Sequence, residues 1–421
     1  MSPRRVVVTG LGPVSPIGIG FMAFRSALLS ERSGVHELRL FDASALPVRF
    51  GGEIEEFEIL DFLDKKDRKL LKRTARTIQL AVAAARLARE DAGLGREAVD
   101  PERLGVVLGT GIIPGDLNEL GPAAHASRSP PGAGPAGIDL GLWGSVGLDL
   151  IPPMWMLNHV PNMPACHVAI LHEARGPNNT LVQHDAASLL ALIEATRHIQ
   201  RDLADVMLAG GTDTRTNQTS IVRALLFSRL SRRNDEPETA CRPFGKDRDG
   251  QVLGEGAGVV VLEEREHARR RGARIYAEIM GAGLGFDRAL NDGLRRAITR
   301  ALAEAGITPD QLDHVNACAN GSPEDAHEAI LLQELRRDGA VLAPKAAMGN
   351  LGNAGSVVEW LASLSQPGDR RVPASLQAAW TDPALQINVL REMRLRTQSY
   401  GLKIARTDRG QAAALVFRWE D

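Results

Sequence analysis

Gln183, His184 and Asp185 are the residues of this chain with the most chemical promise. Arg175-Gly176-Pro177 is turn chemistry. Asn179 to Gln183 reads as a short strand, and Ala186 to about Gln200 as an apolar helix. So tight a join sets the three side chains at or beside a helix N-terminus. Unpaired backbone N–H groups and the positive end of the helix dipole favour an anion there. Many enzymes carry their nucleophile on such a strand-to-helix turn. Here the residue is an aspartate, and Asp is also a good N-cap, the reading that the local pattern favours. His184 and His159 could act as bases, although a lone histidine is more often structural. The thiols are Cys166, Cys241 and Cys318, odd in number and without zinc-ligand spacing.

The rest of the chain must position these groups. At 421 residues it is too long for one ordinary core, so two domains or two halves are expected. A net charge of −2 gives no bulk attraction to nucleic acid or to an anionic membrane. The N-terminus enters a strand at once and leaves no room for a signal peptide. No run approaches about 18 uninterrupted apolar residues, so no membrane span is expected. The sparse cysteines fit a reducing cytoplasm. Gly10-Leu11-Gly12-Pro13 resembles the start of a dinucleotide fingerprint but lacks its third glycine and acidic partner. Neither a cofactor nor a metal is expected.

Arg5 to Thr9 reads as a buried strand that runs into a Gly-rich turn. Asp64 to Gly93 reads as one long helix. Its early basic run, Lys65, Lys66, Arg68, Lys69, Lys72, Arg73 and Arg76, reads as a solvated face rather than a dock for an acidic partner. Arg103 to Thr110 is a second strand, residues 112–150 are loop-rich, and Pro130 to Pro135 is the clearest breaker. Asp205 to Gly211 reads as a strand with a glycine turn, and a second strand–helix series begins at Ile275. Such alternation in both parts argues for an α/β protein. No identity-level repeat links the parts.

Residues 241–264, Cys-Arg-Pro-Phe-Gly-Lys-Asp-Arg-Asp-Gly-Gln-Val-Leu-Gly-Glu-Gly-Ala-Gly-Val-Val-Val-Leu-Glu-Glu, closely resemble the signature of β-ketoacyl-acyl-carrier-protein synthases. Arg4 to Gly12, Pro161-Asn-Met, Arg175-Gly-Pro, Ala209-Gly-Gly and Gln398-Ser-Tyr-Gly agree in the same order. The resemblance spans nearly the whole chain. It implies a thiolase-like αβαβα fold of five layers in two pseudo-symmetric halves, divided here into 1–266 and 267–421. It also implies a dimer, built by pairing the strand near Asn179–Gln183 with its twin, while the cysteine usage makes the expected location cytoplasmic.

The family's condensation needs a cysteine nucleophile and two histidines. A thiolate takes the acyl group, and imidazole donors stabilise the enolate oxyanion. By the resemblance, these positions fall on Asp185, Cys318 and Asn350. A carboxylate attacking a thioester would give a reactive anhydride, and Asn350 cannot cycle a proton. Cys318, without a nearby base, reads as a small buried filler. The supporting Lys345, Glu359 and Asp325 are kept, while Gly401-Leu402-Lys403-Ile404 replaces the family's gate loop. Ile112, Ile113, Leu117, Leu120, Met154, Met163 and Leu402 are the candidate wall of an acyl site.

The resemblance points to a non-condensing, chain-length-factor-like subunit. Its partners would be an active ketosynthase and acyl carrier protein, with no nucleic acid. The alternatives are a homodimeric acyl- or lipid-binding protein, or a thioester hydrolase rebuilt on Asp185, His184 or Cys318.

Overall fold

Runs of apolar and small residues build the strands of this computed structural model, which describes residues 4–71, 74–129, 137–153, 155–288 and 292–420. The N-terminal part supplies β1 (Val6–Ser15), β2 (Leu104–Gly109), β3 (Asn178–Leu181), β4 (Val206–Thr214) and β5 (Glu255–Glu264). The C-terminal part supplies β6 (Ala277–Phe286), β7 (Leu312–Asn316), β8 (Ala340–Leu342), β9 (Tyr400–Arg406) and β10 (Gln411–Trp419). The order across the sheet is β8-β7-β9-β10-β6-β1-β5-β4-β2-β3.

Read outward from the centre, each set runs first, fifth, fourth, second, third. The directions repeat as well. β2 is parallel to β3 and β4, and β4 is antiparallel to β5. Likewise β7 is parallel to β8 and β9, and β9 is antiparallel to β10. The architecture is therefore repeated although the residues are not. The helix Arg265–Arg270 joins the two sets near the expected division.

Helices fill three layers around the strands. α1 (Arg76–Asp91) and α3 (Met163–His172) lie outside the N-terminal set; α2 (Leu117–Ala126) precedes α3 in the chain. α4 (Ala187–Gln200) and α7 (Gly355–Leu361) pack between the sets. α5 (Asp292–Ala305) and α6 (Asp325–Leu335) lie outside the C-terminal set. Val260 and Leu262 of β5 face the middle layer, and Val259 and Val261 face the outer one. In β10, Leu415 and Phe417 face the middle, while Ala414 and Val416 face out. Burial on both faces explains why these strands read as unbroken apolar runs.

Several expectations are corrected. The Gly10–Pro13 turn is the continuation of β1. Its glycines are needed because α1 lies directly on the strand: a Cβ on Gly12 would stand 2.0 Å from the Ala84 carbonyl oxygen. Gly210 and Gly211 likewise lie inside β4. The long helix from Asp64 breaks into a turn at Arg68–Leu71 and α1, which starts only at Arg76. Lys65, Lys66, Arg68 and Lys69 are exposed, whereas Lys72 and Arg73 lie outside the described residues. Arg76 turns inward, and its Nε donates to Glu255 Oε2 at 2.9 Å. The segment 112–150 contains α2 rather than loop alone, and Pro130–Pro135 lies outside the described residues.

The two outer edges differ. β3 ends the sheet with Asn178 and Asn179 exposed, whereas β8 is covered by a further short strand, Asn388–Val389.

Candidate functional site

Asp185 lies on a single 3₁₀ turn, His184–Ala186, between β3 and α4. His184 makes the bend with φ of 48°, left-handed backbone that is uncommon for a residue with a Cβ. Its side chain is exposed. The extra turn overturns the N-cap expectation, because it separates Asp185 from the first turn of α4, which has no side-chain cap. The carboxylate instead reaches across to the C-terminal part. Asn350 Nδ2 donates to Asp185 Oδ2 at 3.1 Å, and Arg215 Nη1 stands 3.8 Å from Oδ1. Ser356 Oγ donates to the Asp185 carbonyl oxygen.

Asn350 is fixed from three sides. Its Nδ2 also donates to Gln251 Oε1 at 2.8 Å, and its Oδ1 accepts from the Gly352 N–H at 2.9 Å. Its backbone bonds to Val252 and Gly254 tie it to the signature segment. The structure thus brings two of the three positions, 185 and 350, into direct contact.

Cys318 follows β7 and is buried. A base does stand beside it, against expectation. Its N–H donates to Glu328 Oε1 at 2.9 Å and its Sγ donates to Glu328 Oε2 at 2.9 Å. That base does not activate it. Burial, with the negative charge of Glu328, pushes the thiol well above its ordinary pKa. The nucleophilic form is the thiolate, so Cys318 is held in its inert form.

The supporting residues form one buried ionic group. Lys345 Nζ donates to the Cys318 carbonyl oxygen at 2.6 Å and lies 3.1 Å from Glu359 Oε1. Lys403 Nζ donates to Glu359 Oε2 at 2.6 Å, Asn316 Oδ1 at 2.9 Å and the Ala317 carbonyl oxygen at 3.1 Å. Burial works to lower the Lys345 pKa, but the neighbouring negative groups, led by Glu359 and joined by Asp185, together outweigh it and the pKa rises. For Lys403 burial prevails and the pKa falls. Asp325 is an anchor rather than a reactant. It accepts from the N–H groups of Phe244, Asn320 and Gly321, and burial pushes it up to about 6.

The candidate wall residues do not form one surface. Ile113 is buried in the outer N-terminal core, and Met163 packs against that core. Ile112 and Leu117 are exposed, and Leu120 is half-buried. Leu402 is fully buried in the outer C-terminal core, because the expected loop at 401–404 is the continuous strand β9. Met154 lies outside the described residues. His159 stands 3.5 Å from Glu119 and against Trp155, away from any contact with Asp185.

Sequence reasoning missed Lys403, Glu328, Arg215 and Gln251. A lysine inside the run Gly-Leu-Lys-Ile-Ala was a usable signal, because a buried charge needs a partner. Glu328 follows Asp325 at i+3 on α6, on the same helix face. Nothing local marked Arg215 or Gln251. Among the described residues, no group of three His, Cys, Asp or Glu side chains could hold a metal, and no helix is long and apolar enough to cross a membrane.

Comparison with known proteins places this geometry. A family model described as "Beta-ketoacyl synthase, N-terminal domain" matches residues 3–268, and "Beta-ketoacyl synthase, C-terminal domain" matches 276–379. The 3-oxoacyl-acyl-carrier-protein synthase 2 of Coxiella burnetii is 33% identical over 413 residues, covering 94% of this chain and 95% of that protein. The solved ishigamide ketosynthase/chain length factor is 24% identical with a TM-score of 0.85, over 100% of both chains, which speaks to the fold alone. The AntDE:AntF complex, a type II polyketide synthase acyl-carrier protein with its ketosynthase, matches at 26% identity and a TM-score of 0.86 over 100% of both chains. The fold is thiolase-like α/β, and the chain belongs to the β-ketoacyl synthase family.

Proposed function

We propose that this protein is a non-condensing ketosynthase-like subunit that pairs with an active ketosynthase in fatty-acid or polyketide synthesis. The observation that carries this reading is the state of the three groups at positions 185, 318 and 350. Asp185 is engaged by Asn350 and Arg215, the Cys318 thiol donates to Glu328, and Asn350 is fixed by Gln251 and Gly352. None of them is a thiolate or an imidazole, so acyl transfer and oxyanion stabilisation both lack their groups. The same bonds weigh against a hydrolase rebuilt on Cys318.

Partnership is supported by the free edge of β3 with the exposed Val182 beside it in the chain, and by the exposed apolar side chains of the preceding segment, including Ile112, Leu140, Leu148 and Met156. An unpaired edge beside apolar surface is a liability that a second chain removes. The subunit would then help to shape the space for a partner's acyl group, working with acyl carrier protein in the cytoplasm. Ile112, Leu117 and Leu120 remain the accessible candidates for such a wall.

Co-expression with a ketosynthase from the same gene neighbourhood tests the reading, through assembly mass and product length. A stable heterodimer whose product length changes when Leu117 is enlarged is the expected result. A chain that stays monomeric in every combination defeats the partnership. A stable homodimer that carries acyl groups and ignores the ketosynthase would favour the acyl-binding alternative.

A further inference from the structure

Lys403 is the most unusual charge in the molecule. It lies in β9 between β7 and β10, with 0% of its surface exposed. An ammonium has three N–H donors, and here all three are engaged: by Asn316 and Ala317 at the end of β7 and by Glu359 of α7. The group therefore has no donor left for a substrate oxygen. It also claims the carboxylate that serves Lys345, the residue bonded to the Cys318 carbonyl. Two ammonium groups thus share one carboxylate next to position 318.

We propose that Lys403 is a fourth determinant of this chain's inactivity, acting by charge on position 318 and by pinning β9 to β7 and α7. The inference rests on the reading of the chain as a non-condensing subunit. A condensing centre needs an imidazole at 318 that can hold a proton or donate to an oxyanion. The groups facing that position are Glu328 on α6, Arg406 and Lys403 on β9, Lys345 after β8, and Glu359 on α7, which the two lysines share. A further cation there, beside Lys345 and Arg406, disfavours an imidazolium. The pin adds a mechanical effect. With Lys403 bonded on three sides, residues 401–404 are a fixed strand and cannot act as a moving gate.

The test compares Cys318→His with and without Lys403→Met, in the full-length chain. Met keeps most of the volume and removes the charge. If that variant fails to fold by thermal melting, Lys403→Gln replaces it, since its amide can still donate to Asn316 or Ala317. NMR titration of the introduced imidazole should show a pKa at least one unit higher without Lys403. An unchanged titration overturns the charge effect, whatever the activity. The second arm adds Asp185→Cys and Asn350→His. Condensation of octanoyl and malonyl carrier protein should then be at least tenfold faster when Lys403 is also replaced. Equal rates with and without Lys403 overturn the inference and leave the reading intact. Assaying the unaltered chain for condensation of octanoyl and malonyl carrier protein separates the two failures. If the unaltered chain itself makes β-ketoacyl product, the reading fails, and the titration still decides the role of Lys403.

Discussion

The turn after β3 and the turn after β8 hold equivalent places in the two sets of strands, and they are built in opposite ways. After β3 comes Asp185, whose side chain keeps 26% of its exposure and faces a cation only at 3.8 Å. After β8 comes Lys345, only 3% exposed and ion-paired with Glu359. The strands differ in the same sense: β3 leaves its outer edge free, and β8 is covered by Asn388–Val389. Repeated topology has therefore not produced repeated roles. The C-terminal side has used its charges internally, where each buried ion needs a partner. The N-terminal side keeps a solvated carboxylate and unpaired backbone, which can meet another molecule.

The largest effect expected from this contrast is catalytic. Asp185→Cys alone should leave condensation undetectable, because it restores a nucleophile on the open side and neither imidazole. Loss of one oxyanion donor costs about 2.7–4 kcal/mol, and two are missing. Steady production of β-ketoacyl carrier protein by the single variant would show that Cys318 and Asn350 have been misread.

Next in size is stability. Glu359→Ala strands two buried lysines and should cost about 3–5 kcal/mol in urea unfolding. Asp185→Ala should cost within about 1 kcal/mol, since Asn350 keeps its bond to Gln251. Similar costs for the two variants would erase the difference between the closed and open sides.

A smaller effect should appear in assembly. Asn178→Lys with Asn179→Lys places like charges along the β3 edge and should lower the measured mass to that of a monomer. Asn388→Lys, on the short strand that covers β8 at the other end of the sheet, should leave the mass unchanged. The reverse result would assign the interface to the other end of the sheet.

The smallest expected effect is in pH dependence, and its sign differs between the sides. Arg103, with Arg4, holds Asp205 just before β4 down to about 2. Its folded pKa lies below its unfolded value, so it contributes stability above about pH 4 that is lost as pH falls towards 2. Burial holds Asp325 up to about 6. Its folded state binds the extra proton, so stability falls as pH rises from about 4 to about 6. Urea midpoints of Asp205→Asn and Asp325→Asn across this range should each lose one of these slopes. Loss of the same slope from both would contradict the opposed signs.

The sequence by itself determined the alternating elements, the family, and the residue types at 185, 318 and 350. Apolar periodicity and the 241–264 signature are local, so they can be read from consecutive residues. It also marked β3 as a strand ahead of a tight turn, which the structure keeps at Asn178–Leu181. Only the tertiary structure decided what those residues do. The N-cap expected of Asp185 gave way to a bond with Asn350, because one 3₁₀ turn re-aimed the carboxylate. The Gly10–Pro13 turn became strand because α1 packs against it, bringing Ala84 onto Gly12 from a distant part of the chain. The pairing of Cys318 with Glu328, and of Lys345 and Lys403 with one Glu359, joins separate elements of the fold. Charge pairing in a core depends on distance through space, and no local pattern of residues records that distance.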